Sequence, residues 1–174
     1  LGKFFFIGTM IASFFNYLFH LFMARMLGPV EYGNLASLIA LYSIFLLIAS
    51  PISTVVIKYV SKFKAENNLI LLKEFINFLE KKLWFFGILI YLILLIFSKI
   101  IAQFLKIDFL PIILINLGII IIFVLSLKRG VLQGLQKFKS LSLNIILEAF
   151  IKFFLGIILV FLGLKVFGAI WAII

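Results

Sequence analysis

Apolar runs about as long as a bilayer is thick follow one another through this chain, and the gaps between them hold nearly all its charge. A spanning helix needs roughly 20 mostly apolar residues, because a backbone without water must pair its polar groups internally. Five runs meet that length: residues 4–27, 35–57, 83–105, 109–127 and 141–164. A shorter apolar stretch, 166–174, reads as the start of a sixth. The fold class is therefore all-α, a polytopic membrane helix bundle. Charged residues make up only 13% of the chain and mean hydropathy is +1.36, too little polar surface to wrap a soluble domain. The chain starts at Leu1 and stops inside an apolar run, which reads as a fragment, the N-terminal part of a longer membrane protein. No small-residue cleavage site follows the first run, so a removed signal peptide is not expected.

The net charge of +10 has a topological reading. Lys and Arg collect in loops that stay in the cytoplasm. With alternating spans, eleven basic residues fall on one side, among them Lys3, Lys58, Lys62, Lys64, Lys128 and Lys137. Four fall on the other: Arg25, Lys99, Lys106 and Lys165. This predicts a multi-pass protein of the cytoplasmic membrane with its N-terminus in the cytoplasm. Membrane lipids, not nucleic acid, are the expected partners of these charges. The chain has no Cys, no Gly-rich phosphate loop, no catalytic carboxylate pair and no metal-ligand cluster. Neither enzymatic activity nor a cofactor or metal is expected.

The first outer connection contains Gly28, Pro29, Glu31, Tyr32 and Gly33. Gly28 is expected to end one helix in the left-handed conformation and Pro29 to open the next. Pro51 is expected to kink the second span, with neighbouring hydroxyls satisfying the carbonyl it frees. Residues 61–82 read as a cytoplasmic amphipathic segment. Lys73, Glu74, Asn77, Glu80 and Lys81 form a polar stripe opposite Leu69, Leu72, Phe75, Ile76 and Leu79, the pattern of a helix lying on the inner membrane surface. A plain extension of the third span into water is the alternative, and Asn67–Asn68 marks the break before it.

Two ionisable residues lie deep in the fifth run. Glu148 and Lys152 are spaced i, i+4 and can pair along one helix face. Lys152 is near mid-membrane, where a charge is costly and usually faces protein or a watery cavity. The pair reads either as an intrahelical ion pair or as a cavity pair meeting an anionic substrate or a coupling ion. Asn16 and His20 share a face of the first span and need partners there. Arg25, at that span's outer end, reads as a snorkelling anchor or a substrate contact. Arg129 and its lysine neighbours could hold a phosphate at the inner mouth, though topology alone would also place them there.

The string Ala24–Gly33, Ala-Arg-Met-Leu-Gly-Pro-Val-Glu-Tyr-Gly, resembles the start of the polysaccharide flippase family, which typically reads R-x-L-G-P-x-E-Y-G at this place. Residues 129–138, Arg-Gly-Val-Leu-Gln-Gly-Leu-Gln-Lys-Phe, resemble its inner loop between helices four and five, and Leu147-Glu148 and Gly168-Ala169-Ile170 resemble the continuation. The resemblance implies the multidrug/oligosaccharidyl-lipid/polysaccharide exporter superfamily. Complete members have about 12–14 helices in two lobes that are parallel repeats, of which this chain would be most of the N-terminal lobe. It implies a flippase for lipid-linked sugars with polysaccharide-assembly proteins as partners, residues 27–33 at an outer gate and Arg25 beside the cavity. A cation-coupled multidrug exporter of the same superfamily and a non-transporting scaffold subunit are the competing readings.

Overall fold

The computed structural model describes residues 2–174, which form α1 (Gly2–Ala65), α2 (Leu69–Leu105), α3 (Phe109–Gly134), α4 (Phe138–Leu159), a π turn (Val160–Leu164) and α5 (Lys165–Ile173). No strand occurs among the described residues. Four helical stretches are long and apolar enough to cross a membrane. Together they contain all five predicted runs and the start of the sixth, because two of the stretches are broken.

The first break is Gly28, with φ 75° and ψ 174°. The positive φ was expected, but ψ lies far from the left-handed helical value, in a region open essentially to glycine alone. Pro29 then starts the second limb, where its fixed φ is helical and its missing N–H costs nothing. On a straight helix His20 and Tyr32 would stand about 18 Å apart. Instead His20 Nδ1 lies 3.2 Å from the Tyr32 hydroxyl, so limbs 2–27 and 29–65 fold back on each other. A second positive-φ glycine, Gly163, folds α5 back on α4. Pro51 makes no such break, since Gly28 is the one described residue of α1 with non-helical angles. Pro51 leaves the Leu47 carbonyl without its helical donor, and Ser50 Oγ donates to that oxygen at 2.9 Å.

The first limb of α1 runs parallel to α4. Ser142 Oγ donates to the Phe4 carbonyl at 3.1 Å, and Lys152 meets Asn16 at nearly the same sequence separation. The second limb runs alongside α3, with Ser61 Oγ on the Gly134 carbonyl at 3.2 Å and Lys64 Nζ on the Leu135 carbonyl at 2.9 Å. α2 lies antiparallel to α3, pinned by Ser98 to Asn116 and by Lys128 Nζ to Glu80 Oε2 at 2.6 Å. α3 is thus the central helix, and Ile112, Ile115, Ile119, Ile122 and Leu127 are fully buried along it. Leu47, Ile96 and Phe104 project outward, as on a bundle whose solvent is acyl chain.

The connections sort into two ends. Glu31, Asp108 and Lys165, one from each predicted outer connection, line one recess of about 380 Å³. The start of α1, the 66–68 break and the 135–137 turn gather at the opposite end. The basic-rich segments therefore share one end, as alternating spans require.

Some boundaries differ from the first-named expectation. Of the two readings of 69–82 the structure takes the extension: α2 is continuous from Leu69, so the segment lengthens the third spanning helix and is not a separate helix, while 61–65 completes α1. Nothing before Gly87 interrupts the helical pattern, and the Asn68 side chain caps it by accepting from the Leu71 N–H at 3.0 Å. α3 likewise continues through Lys128, Arg129 and Gly130 to Gly134. Arg129 therefore sits on a helix rather than in a loop, and the turn into α4 is only residues 135–137.

Candidate functional site

α4 carries Asn144, Glu148 and Lys152 at successive intervals of four, so the three form one stripe with about 6 Å between neighbours. α3 brings Arg129 to the lower part of this stripe. Its Nε donates to Asn144 Oδ1 at 3.2 Å, and a terminal guanidinium nitrogen donates to the Glu148 carboxylate. The pair is open to the outside of the bundle, the Glu148 side chain being 51% exposed and that of Arg129 26%.

One turn further along, the first limb of α1 meets Lys152. Lys152 Nζ donates to Asn16 Oδ1 and stands 4.9 Å from the centre of the Phe19 ring. Asn16 is oriented for this task, because its Nδ2 donates to the Ala12 carbonyl at 2.9 Å and leaves Oδ1 as the acceptor. Phe19 is fully buried, and its ring can lie there because residue 156 is glycine. A Cβ on Gly156 would stand 2.7 Å from Phe19 Cε2. Lys152 makes no ion pair with a described carboxylate. Its charge is met by one amide oxygen and the negative face of one ring, which is thin compensation for an ammonium within a spanning helix.

The expected pairing of Glu148 with Lys152 is therefore replaced by two separate contacts. Arg129 offers a fork of several donors, which suits a carboxylate better than a single ammonium does. Lys152 instead takes the polar partner that Asn16 needed. His20, one turn beyond Asn16, is bound to Tyr32 as a hydrogen-bonded packing residue. A strip of polar groups thus runs from Arg129, Asn144 and Glu148 through Lys152 and Asn16 to His20 and Tyr32.

The remaining predicted residues lie beyond the strip's end. Glu31 Oε1 accepts from Lys165 Nζ at 2.8 Å and ties the Gly28 turn to the Gly163 turn. The hydrogen bond and the charge of Glu31 raise the pKa of Lys165 above the usual lysine value. Gly33 is helical with open space around it, so the turn itself rests on Gly28 and Pro29. Arg25 is exposed, about 14 Å along the helix from Asn16, and is not among the strip's hydrogen bonds. No group of His, Cys, Asp or Glu among the described residues could hold a metal ion.

The family model described as "Polysaccharide biosynthesis protein" matches residues 3–174. The chain belongs to that family. No curated protein and no solved structure matches it. As a polysaccharide biosynthesis protein built of apolar spanning helices, it is a membrane protein with a transport role in polysaccharide production in the broad sense.

Two partners in the strip escaped the reading of the sequence. Asn144 lies four residues before Glu148, so the i, i+4 spacing already visible for Glu148 and Lys152 extends back to it. Phe19 carried no such signal, because 23 phenylalanines make any one of them unremarked.

Proposed function

We propose that this chain is part of a flippase that carries lipid-linked sugar precursors from the inner to the outer leaflet of the cytoplasmic membrane, with its N-terminus in the cytoplasm. The observation that carries the reading is Lys152, a cation in a spanning helix held by a neutral amide and a ring, one turn from the Arg129–Glu148 pair, whose carboxylate is half exposed. Charge is costly at such depth and is kept where it meets a substrate, an ion or a partner. An anionic diphosphate head group fits a strip whose unpaired charge is positive, and the guanidinium of Arg129 suits a phosphate geometrically. A drug exporter that binds cations would meet like charge there. In a two-lobe transporter, the half-open strip would face the second lobe. Movement along it needs no bond made or broken by the protein.

The test is reconstitution in proteoliposomes with a fluorescent polyprenyl-diphosphate sugar. Appearance of the sugar on the far leaflet, faster than in protein-free vesicles, supports the reading, and rates equal to protein-free vesicles reject it. Orientation has its own check, since the chain has no Cys. Asn67→Cys should resist an impermeant thiol reagent on whole cells, and labelling from outside would reverse the topology.

A further inference from the structure

Glu148 has two cations within reach and holds only one. On α4 it lies one turn before Lys152, the i, i+4 spacing at which a carboxylate and an ammonium meet. In the structure it turns the other way, to Arg129 on α3. Lys152, meanwhile, has a neutral acceptor in Asn16 and no carboxylate among the described residues. Arg129 keeps a second anchor in Asn144 Oδ1, so the guanidinium stays in place if the carboxylate leaves. The Glu148 side chain is half exposed, so it has room to move.

Those features fit a specific task. An empty strip with Arg129 and Lys152 both free would present two uncompensated cations at membrane depth. With Glu148 on Arg129, one is neutralised. A diphosphate arriving at Arg129 carries more charge than one carboxylate and competes for the same fork. The displaced Glu148 then finds Lys152 one turn away.

We propose that Glu148 is a displaceable counter-ion, which occupies Arg129 while the strip is empty and moves to Lys152 when a diphosphate takes the guanidinium. This rests on the reading of the substrate as an anionic lipid-linked sugar. Glu148 acts through Arg129 and is a positioning residue. Its return to Arg129 helps to expel the head group, so it weakens binding and speeds release.

That role has a signature that a purely structural one lacks, because affinity and turnover move in opposite directions. The experiment measures binding of polyprenyl diphosphate, and flipping of its sugar-bearing form, by the protein in proteoliposomes. Glu148→Gln keeps an acceptor for Arg129 but removes the competing charge. It should bind polyprenyl diphosphate about tenfold more tightly and flip more slowly than the parent. Glu148→Asp, which keeps the charge, should return affinity toward the parent value. Inorganic diphosphate should gain in the same proportion, because the competition is for the head group, while only the lipid form crosses the bilayer. Unchanged or weaker binding by Glu148→Gln overturns the proposal, as does a gain confined to the lipid form. Failure of the parent protein to bind polyprenyl diphosphate at all overturns the flippase reading together with it. Binding by the parent with no tightening in Glu148→Gln removes the counter-ion role alone.

Discussion

Deep in the α2–α3 seam Ser98 and Asn116 are neutral and sealed in, the partly exposed Lys128–Glu80 pair lying nearer the opposite end, whereas along α4, where it meets α1 and α3, the polar residues are charged and half open. Ser98 and Asn116 are both fully buried; Ser98 Oγ donates to the Leu94 carbonyl at 2.6 Å and receives Asn116 Nδ2 at a long 3.4 Å. Asn116 Oδ1 has no partner at all. On the other side, Glu148 and Arg129 open outward and Lys152 is held by Asn16. Both seams join strongly apolar helices, so hydropathy does not separate them. The difference lies in what each polar group costs and what it can reach. A neutral amide in a tight seam costs less than a charge even with one oxygen unpaired, and its hydrogen bond to Ser98 helps fix the register of α2 on α3. A charge beside an open face costs more and gains its use from something outside the bundle.

The largest effect expected from this contrast is on transport. Lys152→Ala should lower the flipping rate about 10- to 100-fold, the loss of one charge-assisted contact of roughly 1.5–3 kcal/mol. Asn116→Leu, measured beside it at equal expression, should transport like the parent. Equal loss in both would erase the distinction between the two seams.

The next effect is on stability and belongs to the charged seam alone. Gly156→Val drives a side chain into the Phe19 ring, which is buried and cannot yield freely. Overpacking of this kind costs about 1–3 kcal/mol, to be read as an earlier thermal midpoint in detergent. Asn116→Leu should change stability by less than about 1 kcal/mol, because it removes an unpaired acceptor along with a long hydrogen bond. A midpoint for Gly156→Val equal to the parent's would show that the ring under Lys152 is loosely held.

How much of this contrast the sequence revealed depends on the kind of signal. Spans and turns were legible because the length of an apolar run and the presence of Gly28 and Pro29 act locally. Helix ends were less so. Lys128 and Arg129 look like loop residues by charge, yet Gly130 serves a close approach to Val56 rather than a break, so the helix carries them on to Gly134, and that extension places Arg129 against α4. Glu148 and Lys152 were found by their depth in an apolar run. Their actual partners come from α3 and α1, 19 and 136 residues away, and no spacing along α4 encodes those choices. Ser98 and Asn116 went unremarked because neither is charged.

The smallest effect concerns the turn end, where the pair of Glu31 with Lys165 is solvent-facing. Glu31→Gln should leave the thermal midpoint close to that of the parent at neutral pH. Since Glu31 raises the pKa of Lys165, the pair's contribution is complete below the usual lysine pKa and disappears as pH rises through the raised value. A marked loss of stability at neutral pH would mean that this end is held by its ion pair rather than by the two glycine breaks.

If the polar strip along α4 carries an anionic head group, it is wet while the outer face of α2 is covered by lipid. Glu148 and Ile96 are both open in the bundle, the first half exposed and the second 76% exposed. Absence of native cysteine lets each be replaced singly by Cys and treated with a water-soluble thiol reagent in the intact membrane. Glu148→Cys should react readily and be protected by polyprenyl diphosphate, while Ile96→Cys should remain unlabelled. An inert Glu148→Cys, or equal labelling at both positions, would contradict a wet strip.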